Sequence, residues 1–228
     1  MQHITAIYFD LDDTLWDMEL VIPRAEQHLY AWFVEHYPRV ADTYTPEQLH
    51  RLRQRIGQRH PELRHDLSTL RMKMLRQILV GAGYDEAPAE QAFCVFQEAR
   101  NRVRLYDDVV PALQRLAKTH RLFALTNGNA SLQAIGISEW FEACVTAREL
   151  GVAKPDPQFF AKALDQTGLH AREVLHVGDH PENDIQAASR VSMPTLWLNR
   201  KSTAWPLPDC SPDHELPNLR PLADMLQA

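Results

Sequence analysis

A basic surplus, paired cysteines and long apolar runs are all missing from this sequence of 228 residues. The three cysteines, Cys94, Cys144 and Cys210, are odd in number and far apart, which excludes a disulfide framework and zinc-type paired spacing and fits a reducing compartment. No run of about 18 apolar residues is present to span a bilayer. Met1-Gln2-His3-Ile4 is not a basic stretch followed by a long apolar segment, so the expected location is the cytoplasm. Lysine and arginine total 24 against 30 aspartates and glutamates, a formal charge of −6, with 11 histidines that titrate close to neutrality. That balance argues against a globally cationic nucleic-acid binder and against charge-driven membrane binding, while leaving room for a local basic patch. No internal repeat is visible. What is present is ordinary globular material, 45% apolar and 24% charged, enough for one large core or two modest ones.

Order along the chain is more informative than composition. The first element, Ile4-Thr5-Ala6-Ile7-Tyr8-Phe9, is short, β-branched and aromatic, and is expected to be a buried strand. A helical stretch follows. Pro23 can open a helix through Ala31-Trp32-Phe33, and Thr45-Pro46-Glu47-Gln48 has the pattern of a capping box with proline at the first helical position. Further helices are expected from about Ser68 to Leu79, stopped by Gly81-Ala82-Gly83, and from Pro88 through Val103. After Leu105 short apolar runs at 122–125, 143–145, 174–177 and 195–198 alternate with helical patterns at 109–119, 157–167 and 183–192. This alternation predicts an α/β doubly wound parallel sheet, a Rossmann-like core over 1–16 and 105–228, interrupted after its first strand by an α-helical cap at 17–104. The proline-rich stretch from Trp205 to Pro212 reads as an irregular loop before a short C-terminal helix.

Four segments carry chemistry. In Phe9-Asp10-Leu11-Asp12-Asp13-Thr14, Asp10 and Asp12 share one side of extended backbone at the carboxyl end of the first strand, where open parallel sheets bind ligands. A calcium loop does not fit, because its glycine and its closing glutamate would fall on Leu15 and Val21. Thr126-Asn127-Gly128-Asn129 can offer a hydroxyl, an amide and backbone N–H groups to phosphate oxygens, although turns also use Asn and Gly for backbone reasons alone. Lys154 stands just before a helix opened by Asp156 and Pro157, and most lysines are solvated. Asp179 and Asp184, five apart after an apolar strand, are hard oxygen ligands suited to magnesium, or acids matched to a helix dipole.

Taken in order, these segments resemble the haloacid dehalogenase superfamily, whose phosphatases have an Asp-x-Asp-x-Thr motif, a Thr or Ser after the second strand, a lysine and a closing acidic motif. The corresponding residues are Asp10 to Thr14, Thr126, Lys154, and Gly178-Asp179 with Asp184. The resemblance implies a magnesium-dependent phosphatase in which Asp10 is the nucleophile, Asp12 the general acid and base, Thr126 and Asn127 the phosphate holders, and Lys154 both catalytic and phosphate-binding. Asp10, the Asp12 main-chain carbonyl, Asp179 and Asp184 would hold Mg2+. Four carboxylates against one lysine leave a bare site three charges negative, and a divalent cation with a proton on Asp12 brings it to zero.

Within the superfamily, Asp12 argues against a dehalogenase, which lacks the second aspartate, and the solitary cap lysine, Lys73, against a Schiff-base phosphonatase. A phosphomutase, or a phosphatase of another small phosphometabolite, is the alternative. The segments Phe9 to Leu15, His65-Asp66-Leu67, Thr126 to Ala130 and Leu175 to Asp179 are similar to the bacterial subgroup acting on flavin mononucleotide and on 5-amino-6-(5-phosphoribitylamino)uracil, which places the expected role in riboflavin biosynthesis. The implied partner is thus a small phosphorylated metabolite, with neither nucleic acid nor membrane, and the chain a monomer or homodimer. Between Arg51 and Arg76 eight basic residues face only Glu62 and Asp66. Most are expected on a solvated helix face, and some can steer an anion. Cap candidates for substrate contact are His65 and Arg71, with Trp16 as a stacking surface at the hinge.

Overall fold

The computed structural model describes residues 3–227. It resolves into two compact units, one of residues 1–17, 104–128 and 136–228, the other of 18–103 and 129–135. No helix of the described residues is long and apolar enough to cross a membrane.

The first unit is a six-stranded parallel sheet. Its strands are β1 (Ala6–Phe9), β2 (Arg121–Thr126), β3 (Ala143–Thr146), β4 (Val174–Gly178), β5 (Thr195–Leu198) and β6 (His214–Leu216), in the order β3-β2-β1-β4-β5-β6. Every residue of β1, β4 and β5 is buried, which is why these strands read as continuous apolar runs rather than as alternation. One face packs Tyr8, Phe123 and Leu125 against Phe159 and Phe160 of the Pro157–Thr167 helix. That helix starts where expected, with the Asp156 side chain accepting from Gln158 N and proline in its first turn. Strand order reverses between β1 and β4, so the crevice at their carboxyl ends is the switch point where doubly wound sheets bind ligands. Phe9 lies opposite Ala124 and Val177, so the chain leaves β1 at Asp10 level with Leu125 and Gly178.

The edge strand β6 was not expected. His214-Glu215-Leu216 has no apolar run because an edge strand needs none, and only its pairing with Leu196–Leu198 makes it a strand.

The second unit consists of the helices Val21–His36, Arg39–Thr43, Pro46–Arg59, Leu67–Gly81 and Ala89–Asn101 around Leu29, Phe33, Leu52, Ile56, Leu75, Ile78 and Phe96. Thr45 closes the capping box in both directions, accepting from Gln48 N at 3.3 Å while its own N–H reaches Gln48 Oε1 at 2.8 Å. Residues 129–135 group with these helices, whereas the sequence expectation assigned them to the sheet. Their hydrogen bonds explain it: Asn129 Nδ2 donates to Ser68 Oγ, Gln97 Nε2 to Asn129 O, and Ser131 N to Asn101 Oδ1.

Candidate active site

Four charged side chains meet at the carboxyl end of the sheet. Lys154 Nζ is buried and donates to Asp10 Oδ1 at 2.6 Å, to Asp184 Oδ1 at 2.7 Å and to Leu125 O at 3.2 Å, so all three ammonium hydrogens have acceptors. Thr14 Oγ1 lies 3.0 Å from Asp10 Oδ2 and 3.3 Å from Asp179 Oδ1, linking the first motif to the last. Oxygens of Asp10, Asp179 and Asp184 all fall within 4.8 Å of one another.

The local backbone makes this crowding possible. Gly178 ends β4, and a Cβ there would stand 2.4 Å from Asp184 Cγ, so only glycine lets the carboxylate pack against the strand. Asp184 sits on a π-helical turn, Pro181–Gln186, whose first N–H groups donate to His180 Nδ1. The His180 N–H donates to Asp184 Oδ2, and His176 Nε2 lies 3.1 Å from Asp184 Oδ1. Asn127 brackets the Lys154 peptide, its amide donating to Lys154 O and its carbonyl accepting from Lys154 N, both at 2.9 Å. Thr126 Oγ1 accepts from Gly128 N, which leaves its O–H to donate.

Electrostatics follow from burial and crowding. Burial lifts Asp10 well above the ordinary carboxylate range; Lys154 pulls it back, and the charges of Asp184 and Asp179 push it up again. Asp179 is pushed up to about 7 by burial and by Asp184 and Asp13. Burial opposes charge on Asp184 too, but Lys154 and His176 outweigh it and hold this carboxyl below its usual value. Lys154 is raised, the attraction of Asp10 and Asp184 overcoming its own burial. His176 is lowered by burial, which keeps it neutral, with Nε2–H donating to the ionised Asp184. Three carboxylates against one ammonium leave two negative charges in excess, and a hard divalent cation matches both that excess and the all-oxygen donor set. The donors present therefore fit a hard divalent cation.

The residues singled out in the sequence divide into two sets. Asp10, Lys154, Asp179 and Asp184 form the cluster, and Thr126 and Asn127 flank it. Asp12 is half-buried, its Oδ1 accepting from the Trp16 indole at 3.0 Å. Trp16 is fully buried, and its indole N–H donates to Asp12 Oδ1. Asn127 commits its amide carbonyl and one amide hydrogen to the Lys154 backbone. Arg71 is buried in the helical unit, on Glu26 at 3.4 Å and over the Phe96 ring at 3.7 Å, and His65 is half-buried just before the Leu67–Gly81 helix. Sequence reasoning missed His176, Gly178 and His180 as supports of Asp184. A polar residue alone in the apolar run of β4 was the available signal for His176.

A family model for haloacid dehalogenase-like hydrolases matches residues 4–191. The chain belongs to the haloacid dehalogenase-like hydrolase family. Among its relatives, 5-amino-6-(5-phospho-D-ribitylamino)uracil phosphatase YigB of Escherichia coli is 34% identical over 86% of this chain and 83% of its own. Glyceraldehyde 3-phosphate phosphatase of Methanopyrus kandleri is 30% identical over 98% and 97%. A crystal structure described as a 2-haloacid dehalogenase from Pseudomonas syringae superposes with a TM-score of 0.91 at 37% identity, covering 98% of both chains.

Proposed function

We propose that this hydrolase releases phosphate from a small phosphorylated metabolite through an aspartyl-phosphate on Asp10. The observation that carries the reading is the Asp10 carboxylate, fixed at the carboxyl end of β1 by Lys154 and Thr14, with a second aspartate two residues on and two further carboxylates beside it. Asp10 attacks phosphorus, the bond from phosphorus to the ester oxygen breaks, and Asp12 delivers its proton to the leaving alkoxide. Asp12 then takes a proton from water, which attacks the same phosphorus and frees the Asp10 carboxylate. The Trp16 indole keeps Asp12 oriented through both steps. Thr126 O–H and the backbone N–H groups after β2 hold phosphoryl oxygens, and Lys154 offsets charge on Asp10 and on the transferring group. Asp10, the Asp12 main-chain carbonyl, Asp179 and Asp184 would hold Mg2+, which when bound supplies positive charge against the phosphoryl oxygens.

Flavin mononucleotide and 5-amino-6-(5-phosphoribitylamino)uracil are the first substrates to test, because the YigB relative acts on the second and the cap segment His65-Asp66-Leu67 resembles that subgroup. The Methanopyrus relative keeps small sugar phosphates in the panel, and a phosphomutase shares the same core residues. The reaction is placed in the cytoplasm, in a monomer or homodimer. A second reading, 2-haloacid dehalogenation, is favoured by the description of the 37%-identical structure. Asp12 and the acidic cluster oppose it, since halide displacement from carbon requires no cation and no leaving-group proton. Measurement of phosphate release across the ester panel, and of halide release from 2-chloropropionate, each with and without Mg2+, separates the two. Magnesium-dependent phosphate release is expected; halide release without phosphate release would reverse the assignment.

A further inference from the structure

The helical unit contains a cavity of about 380 Å³. Its volume lies in the range of small-molecule sites. The walls include Leu29, Leu49, Met74 and Pro46, and its polar lining includes Arg71 and Glu26 with Gln27, Tyr30 and His50. Arg71 is 8% exposed, and among the described residues its guanidinium makes one hydrogen bond, to Glu26 Oε1 at 3.4 Å. A guanidinium has five N–H donors, so most of those of Arg71, which lines the cavity and stacks on the Phe96 ring, are not used on Glu26. Glu26 is also shared: Arg53 Nη1 stands 3.1 Å from the same Oε1. Two cations on one carboxylate leave a net positive charge beside an apolar wall. Burial draws Arg71 down to about 10, and Arg53 adds to the fall, yet the group is still charged at neutral pH.

The geometry points to a second binding site here, for a small monoanionic carboxylate with an apolar body. The planar fork of Arg71 suits a carboxylate, and the single excess charge suits a monoanion. The apolar walls take the rest of the molecule. The residues of this site all belong to the helical unit.

Calorimetric titration of the full chain with phenylacetate, phenylacetamide and inorganic phosphate tests it. Phenylacetate is expected to bind, with the neutral amide and inorganic phosphate each at least about ten-fold weaker, about 1.4 kcal/mol. Leu49→Trp fills the cavity while leaving Arg71 on Glu26, and should abolish phenylacetate binding; Arg71→Leu should do the same. Glu26→Gln removes the internal competitor for Arg71 and should tighten binding several-fold, an effect that a purely structural Arg71 would not produce. Asp10→Asn, at the sheet, should leave the affinity unchanged. Absence of phenylacetate binding at millimolar concentration, binding that survives Leu49→Trp in a folded variant, or equal affinity for the amide would each overturn the inference.

Discussion

Lys154 has three ammonium hydrogens and three buried acceptors, two of them carboxylates. Replacing it by methionine leaves Asp10 and Asp184 buried and facing each other without a cation. Lys154→Met is therefore expected to lose turnover and also to destabilise the sheet unit by roughly 3–5 kcal/mol, readable by urea unfolding. Asp10→Asn keeps the volume and removes the nucleophile. Phosphate release should fall on the order of 10³-fold or more with the thermal midpoint little changed, and hydrolysis close to the wild-type rate would contradict the assignment. The clustered residues Asp10, Lys154, Asp179 and Asp184 stood out in the sequence because each comes after an apolar run that reads as a strand. Their supports were harder to see. His176 and His180 act through Asp184, a contact that depends on the π-helical turn and the missing Cβ of Gly178, and local sequence spacing encodes neither. Trp16 likewise acts through a partner that spacing does not announce, its indole N–H being used on Asp12 four residues back.

The strands deliver the chemistry because the parallel register lines up their carboxyl ends, with Phe9 beside Val177 on one side and Ala124 on the other. Gly178 is the point where this alignment is tightest. Gly178→Ala must displace Asp184 and with it Lys154, and a shift of about 1 Å at such a site costs on the order of 10²-fold in kcat, with the fold retained by circular dichroism. In the helical unit the capping box at Thr45 ends free N–H groups in the same way that the sequence pattern predicts. Thr45→Ala should cost about 1 kcal/mol in chemical unfolding, because it removes the side-chain acceptor for Gln48 N. Buried parallel strands and capped amphipathic helices were readable for one reason: the residues that define them are neighbours in sequence. Strand β6 and the Arg39–Thr43 helix were not, since three residues at a sheet edge and five after a proline acquire their structure from what they pack against.

Across the sheet unit, Asp108 and Arg200 join distant parts of the chain. Arg200 grips Asp108 at 3.0 and 3.1 Å, donates to Thr14 O at 2.8 Å and lies over the Tyr106 ring, while Leu219 N donates to Asp108. Burial opposes ionisation of Asp108, but these donors prevail and hold it below the usual carboxylate range. A depressed folded value gives stability that is complete above the unfolded value, about 3.9, and that disappears as pH falls through the folded one. Unfolding free energies of wild type and Asp108→Asn should thus differ by about 3–5 kcal/mol near neutrality, with the gap starting to close only as pH falls below about 4. Net charge is also organised at this scale. The chain total of −6 hides a basic segment from Arg51 to Arg76, in which Arg53 and Arg71 turn onto Glu26 while most others face solvent. The acidic counterpart includes the three carboxylates at the strand ends, and the proposed function rests on one of them, Asp10, becoming covalently phosphorylated. Acid-quenched mass spectrometry of the Asp12→Asn variant, incubated with substrate and Mg2+ so that water attack is slowed, tests this most directly. The account predicts the mass of one phosphoryl group on the peptide containing Asp10; a phosphoryl group on another residue, or phosphate release by the wild type with none on Asp10 in either protein, would contradict it.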